Sequence, residues 1–165
     1  MFVVGRHGLS GFIVHSDLDR HAVRSYLYLL IAGIEMLLAE IVKDDISDDQ
    51  IIASLRSDQR KRFEQAYAAN QEASPAEYLY IGELITLFTR TRYASDPRCW
   101  DEPLTDLLIR VKHFRNNVMH PVCSLAASED NDAIANVPRW ATEVTGRLRD
   151  IVAFLSGGPP PDLNQ

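Results

Sequence analysis

Cysteine is nearly absent from this 165-residue chain, which contains two: Cys99 and Cys123. Two cysteines outside a C-x-x-C pair are too few for a disulfide scaffold, and no second pair of zinc ligands accompanies them. No window holds 18 uninterrupted apolar residues, residues 1–6 lack the layout of a signal peptide, and internal repeats are missing. These absences predict a cytoplasmic protein with no membrane span, no metal site and no cofactor.

Basic residues are fewer than acidic ones, and the formal net charge is −6. Such a chain is a poor general binder of nucleic acid, because like charges repel the phosphate backbone. The charges are unevenly spread, however, and Asp106 is the only acid between residues 104 and 120. The basic side chains of this segment are Arg110, Lys112, His113, Arg115 and His120. This local excess predicts either a solvated helix face or a surface that binds an anion.

Apolar residues recur at helical spacing along most of the chain. One domain is the default at this length, and the hydrophobic content of 46% is ordinary for a protein with a core. Five helices are predicted: about 17–43, about 48–72, a third that starts at Ser74-Pro75, about 103–119 and about 138–156. Connections are predicted at 94–102 and 123–136. The predicted fold is therefore mainly α, an antiparallel bundle of four to five helices with a short N-terminal β-hairpin.

The hairpin is predicted over residues 2–15, where two strand-like runs, 2–4 and 11–14, flank a turn. A lone hairpin is marginal in water, so we expect it to pack on the helices or on a partner. The chain then has three parts: 1–16, the hairpin; 17–156, the helical bundle; and 157–165, a tail rich in Gly and Pro that is predicted to be disordered.

Polar residues and a proline stand where three of the predicted helices begin. Ser16 or Asp17 can cap the first helix, and Ser47 with Gln50 has the pattern of a capping box for the second. Pro75 is tolerated at the first position of the third. These signals support the helix starts independently of the apolar pattern.

One short segment carries most of the candidate chemistry: Arg115-Asn116-x-x-x-His120, followed by Pro121. A guanidinium offers a planar fork of donors that suits phosphate oxygens, and a histidine exchanges protons near neutral pH. Asn116 and His120 share a helix face, whereas Arg115 and His120 are about 140° apart on an ideal helix. Pro121 disfavours helical geometry at His120, so the helix end can loosen and let the two side chains converge.

A structural interpretation of these residues stays open. Basic side chains are common in the last turn of a helix, where they complement the carbonyl end of the dipole. Glu83, in the apolar run 80–85, also has two interpretations. It either faces solvent or, if it is buried, needs a cationic partner, for which Arg115 is the candidate.

The segment resembles the Arg-x(4–6)-His motif of HEPN domains, which usually have a polar residue directly after the arginine, as Asn116 is here. In helix order the resemblance covers about residues 20–156. It implies a helical bundle that dimerises, and in many members a metal-independent ribonuclease of toxin–antitoxin, phage-defence or RNA-processing systems. By this resemblance Arg115, Asn116 and His120 are the catalytic residues, RNA is the substrate, and a cognate antitoxin or regulatory partner is expected.

A second resemblance lies near the N-terminus. The pattern Gly8-x-x-Gly11-Phe12-Ile13-Val14-x-Ser16-Asp17-Leu18 is similar to the closing strand and helix start of a CBS module. In those modules the aspartate often contacts a nucleotide ribose, which would be the role of Asp17, but Val14 stands where they have threonine or serine. Only the end of a module is present, so we expect either a remnant or a piece of a longer CBS-containing protein.

The two resemblances imply two alternative functions. The first is a metal-independent endoribonuclease in which a two-fold dimer supplies one His120 as acid and the other as base. The alternative is a non-catalytic dimerisation or ligand-sensing module linked to the CBS-like region. Cleavage of RNA without added metal, lost on His120→Ala in a folded protein, distinguishes the first from the second.

Overall fold

A computed structural model of the chain describes residues 2–5, 8–12, 20–69, 72–94, 104–119 and 131–156. The described part is mainly helical, so the predicted fold class is confirmed at that level. Its helices are α1 (His21–Asp45), α2 (Asp48–Ser54), α3 (Ser57–Ala68), α4 (Ile81–Phe88), α5 (Leu104–Met119) and α6 (Asn131–Leu155), with a short 3₁₀ helix at Pro75–Tyr78. The described residues thus contain six α-helices where four to five were predicted.

The central helix is α1, which packs against α4, α5 and α6. Its buried face repeats at helical spacing and comprises Leu27, Ile31, Ile34, Leu38, Ile41 and Val42. Full burial of one such side chain is worth about 1.5–3 kcal/mol, so this face contributes much of the core. By length and composition α1 is also the one helix of the described residues that could cross a membrane. In this structure its buried face belongs to the core of the bundle.

The prediction of one helix over 48–72 is wrong, because α2 and α3 are separate. Leu55 lies between them in extended conformation, with a ψ of 134°, and its side chain is buried. The buried Gln59 accepts a hydrogen bond of 2.8 Å from the backbone N–H of Arg56, next to the start of α3. Burial of Leu55 together with this cap favours the break over a continuous helix. The predicted capping box at the start of α2 is confirmed.

The third predicted helix is also interrupted. The Ser74 hydroxyl accepts a hydrogen bond of 3.4 Å from the N–H of Ala76, but the turn that follows is a 3₁₀ helix. Leu79 and Tyr80 are extended, and α4 begins at Ile81. Leu79 is buried, so its packing in the core explains why the chain leaves the helical path there.

The last helix begins at Asn131 rather than near residue 138, and it runs through Pro138. A proline inside a helix removes one hydrogen bond and costs about 3 kcal/mol. Packing offsets this cost, since α6 packs against α1 and buries Ala141, Val144 and Leu148. The predicted helix start at Pro138 is therefore wrong, because tertiary packing outweighs the local preference of proline.

The N-terminal β-hairpin, predicted with strands at 2–4 and 11–14, is not supported in that form. The backbone of Phe2–Gly5 (β1) and Gly8–Phe12 (β2) has strand geometry with Phe2 opposite Phe12, but residues 13–19 lie outside the described residues. Arg20 stands at the N-cap position of α1, and the predicted caps Ser16 and Asp17 fall in that undescribed segment. The tail 157–165 and most of the predicted connections at 94–102 and 123–136 also lie outside the described residues.

Candidate functional site

A cleft of about 490 Å³ lies between the α2–α3 junction, the start of α4 and the later turns of α5. Two of the three predicted site residues, Arg115 and Asn116, line this cleft. The third, His120, lies outside the described residues, one position after Met119 ends α5. The structure therefore brings Arg115 and Asn116 together, and the place of His120 stays a prediction.

The orientation of α5 explains why these residues face the cleft. The helix buries an apolar stripe formed by Leu104, Leu107, Leu108, Val111, Phe114 and Val118. Residues three and four apart lie side by side on a helix, so Lys112, Arg115 and Asn116 form an adjacent polar stripe. Arg24 of α1 donates a hydrogen bond of 3.3 Å from Nη1 to the carbonyl of Val118 and satisfies one carbonyl near the helix end.

Glu35 holds the guanidinium of Arg115. The Nε–H of Arg115 donates to Glu35 Oε1 at 2.9 Å, and the two side chains are 24% and 26% exposed. Charge-assisted hydrogen bonds of this kind are stronger than those between neutral groups. A guanidinium has five N–H donors, so the pair with Glu35 leaves donors of Arg115 for an anion.

Glu83 has a partner other than the predicted one. It forms an ion pair with Arg56, and its side chain is 15% exposed, so both the solvated interpretation and the pairing with Arg115 are wrong. A carboxylate this far buried needs a cation, and the break before α3 brings Arg56 to it. The second oxygen, Oε2, is buried and accepts no hydrogen bond within the described part of the chain.

Tyr80 forms a further wall of the cleft. Its hydroxyl donates to Asp58 Oδ2 at 3.1 Å and accepts from Arg62 Nη2 at 2.8 Å. The guanidinium carbons of Arg56 and Arg62 each lie 5.7 Å from the ring centroid, within the range of cation–π attraction. These contacts hold the ring in place while 37% of the residue stays exposed.

Lys112 reaches the backbone at the start of α4. A Cβ placed on Gly82 would lie 3.4 Å from Lys112 Cε and 3.6 Å from its ammonium nitrogen, which are ordinary contact distances, so the end of this side chain lies against Gly82. The charged residues that line the cleft within the described ranges are three cations, Arg56, Lys112 and Arg115, and one carboxylate, Glu83. The cleft is therefore positive on a chain whose net charge is −6.

Sequence reasoning missed Glu35, Arg56 and Tyr80 as members of this site. For Glu35 a signal existed, since it is the first acid of α1 and interrupts the apolar run on both sides of it. A carboxylate in such a run calls for a cationic partner. Arg56 and Tyr80 had no comparable signal, because both lie in short extended segments between helices.

Comparisons with known proteins add no relative to this description. No family model, no curated protein and no solved structure matches the chain. The resemblances to HEPN domains and to the end of a CBS module therefore stay predictions, and the case for a function depends on the cleft.

Proposed function

We propose that the protein is a metal-independent endoribonuclease of the HEPN type that acts through Arg115, Asn116 and His120. The observation that carries the proposal is the cleft in which Arg115 and Asn116 stand beside two further cations, Arg56 and Lys112. Guanidinium and ammonium groups bind phosphate oxygens well, so this lining suits a phosphodiester. The proposed site of action is the cytoplasm, where a cognate antitoxin or regulatory partner would restrain the enzyme.

The proposed reaction needs an acid, a base and a group that stabilises charge. The ribose 2′-oxygen attacks the neighbouring phosphorus and its proton passes to a base, while the P–O5′ bond breaks and the 5′-oxygen takes a proton from an acid. The products are a 2′,3′-cyclic phosphate and a free 5′-hydroxyl. His120 is the proposed acid or base, and Arg115, held by Glu35, stabilises negative charge on the phosphoryl oxygens. Asn116 positions the phosphate or the histidine.

A two-fold dimer completes this scheme, because one chain supplies one motif histidine and the reaction uses an acid and a base. An apolar groove beside the end of α5 supports it: Tyr28 and Leu29 of α1 line this groove together with Val118 and Met119. Leu29 is 67% exposed, and Met36, seven residues later on the same side of α1, is 70% exposed. We propose that two copies bury this surface and so bring their two α5 ends together.

Cleavage of labelled RNA in the presence of a metal chelator tests the proposal. The wild type should release products that end in a 2′,3′-cyclic phosphate, and DNA of the same sequence should survive because it has no 2′-hydroxyl. His120→Ala should lower the rate by roughly 10²–10⁴-fold, the usual contribution of general acid–base catalysis. His113→Ala is the matched control, since His113 is an exposed histidine on the same helix and is not among the residues lining the cleft.

Unchanged cleavage in the His120→Ala protein, or equal cleavage of DNA, would remove this mechanism. An inactive wild type on a broad set of RNAs would favour the alternative, a dimerisation or ligand-sensing module linked to the CBS-like segment. Circular dichroism of each variant keeps loss of activity separate from loss of fold.

A further inference from the structure

Among the described residues, Lys112 has no ion-pair partner. The chain has three lysines, and Lys112 is the one that lines the cleft. Arg56 is paired with Glu83 and Arg115 with Glu35, but no acid of the described residues forms an ion pair with Lys112. Its ammonium group therefore stays available to an anion, one helical turn before the site residues Arg115 and Asn116.

Tyr80 offers a different kind of contact in the same cleft. Its ring is partly exposed, and hydrogen bonds to Asp58 and from Arg62 fix its hydroxyl. The guanidinium carbons of Arg56 and Arg62 lie 5.7 Å from the ring centroid, so a base that stacks on this ring shares it with these two cations. An aromatic ring held in advance loses little conformational freedom when a flat ligand stacks on it. Bases of unpaired nucleic acid are flat, and they stack on aromatic side chains regardless of sequence.

We infer that Lys112 and Tyr80 form a subsite for unpaired RNA next to the bond that is cut, with Lys112 on a backbone phosphate and Tyr80 stacked on a base. The inference rests on the proposed function and names its substrate class, single-stranded RNA. The cleft volume of about 490 Å³ lies within the range of small-ligand sites, so the cleft can admit an unpaired nucleotide. Lys112 and Tyr80 belong to different elements, so the subsite exists only in the folded bundle.

Binding of a short, fluorescently labelled 2′-O-methyl oligonucleotide tests the subsite, because this probe has no free 2′-hydroxyl and cannot be cut. Anisotropy is measured over a series of salt concentrations. Lys112→Ala should reduce the slope of log affinity against log salt by about 0.7, the value for one phosphate contact on a single strand. Lys43→Ala, which removes an exposed lysine at the end of α1, should leave the slope unchanged.

Tyr80→Ala should weaken binding by roughly 5- to 150-fold, the range for loss of one stacked base, with little change in the salt slope. Tyr80→Phe keeps the ring and should bind close to the wild type, which separates stacking from the hydrogen bonds of the hydroxyl. Tyr67→Ala is the matched control, because Tyr67 is 73% exposed and stands on α3, outside the residues that line the cleft.

The two proposals fail in different ways. RNA cleavage by the wild type, with a salt slope that Lys112→Ala does not change, would overturn the subsite and leave the ribonuclease. Probe binding that depends on Lys112 and Tyr80 without cleavage of any RNA would support the subsite and overturn the ribonuclease. Displacement of the probe by polyglutamate as readily as by unlabelled RNA would assign the surface to an acidic protein and overturn the inference.

Discussion

Arg115 and Glu35 form an ion pair between residues that are 80 positions apart, with 2.9 Å between Nε and Oε1. The pair links the helix that carries the motif to the central helix of the bundle. Because the carboxylate takes a single N–H, the guanidinium is held in place and keeps donors for a phosphate. In the proposed enzyme Glu35 is a positioning residue, and it acts on the substrate only through Arg115.

Glu35→Ala should therefore lower RNA cleavage by roughly tenfold or more, since about 1.4 kcal/mol of lost transition-state stabilisation corresponds to one factor of ten. It should also lower the free energy of unfolding by about 1–2 kcal/mol, because it removes a partly buried charged hydrogen bond. Glu35→Gln keeps an acceptor oxygen and should recover most of the activity. Glu40→Ala, an exposed glutamate on the same helix, is the control. Wild-type rates in the Glu35→Ala protein would contradict the positioning role.

Gln59→Ala should destabilise the fold by about 1–2 kcal/mol, because the backbone N–H of Arg56 loses the acceptor that caps the start of α3. Urea denaturation measures the change. Gln65→Ala removes an exposed glutamine of the same helix and should stay within about 0.5 kcal/mol of the wild type. Equal midpoints for the two variants would show that the break between α2 and α3 does not depend on this cap.

Light scattering should give twice the mass of one 18.6 kDa chain at micromolar concentration. Leu29→Asp should shift the protein to the monomer, because a charge in the groove beside α5 opposes burial between two copies. Ile109→Asp is the control, since Ile109 is 41% exposed on α5 and is not among the residues lining that groove. A wild-type monomer, or a dimer that Ile109→Asp disrupts and Leu29→Asp does not, would remove the proposed interface.

Tyr93 should make stability fall as pH rises above about 10. Burial raises the pKa of Tyr93 above its ordinary value of 10.0, and the hydrogen bond from Arg92 offsets only part of this effect. As pH rises, Tyr93 of the unfolded chain therefore loses its phenolic proton before Tyr93 of the folded chain does. The contribution of Tyr93 to the free energy of unfolding is fully present below the pKa of the unfolded state and is lost as pH rises through the pKa of the folded state. Unfolding free energies of the wild type and Tyr93→Phe, measured on both sides of pH 10, test this. Parallel pH profiles would contradict it.

The helices themselves could largely be predicted from the sequence. Apolar periodicity predicts a helix over 103–119, and the structure has α5 at Leu104–Met119. Ser47 and Gln50 likewise mark the start of α2. Both signals act within a few residues, so they are present in the sequence whatever the rest of the chain does. The same locality explains the proximity of Arg115 and Asn116, which are neighbours on one helix.

The ion pairs and the set of residues that line the cleft were decided by the tertiary structure. Glu83 pairs with Arg56 and Arg115 pairs with Glu35, although the sequence offered Arg115 as the candidate for Glu83. These pairings depend on how the helices pack and on a break at Leu55 that is stabilised by burial. Local apolar periodicity predicts neither the packing of the helices nor this break. For the same reason only the folded bundle brings Lys112 and Tyr80, from separate elements, into one cleft with Arg115.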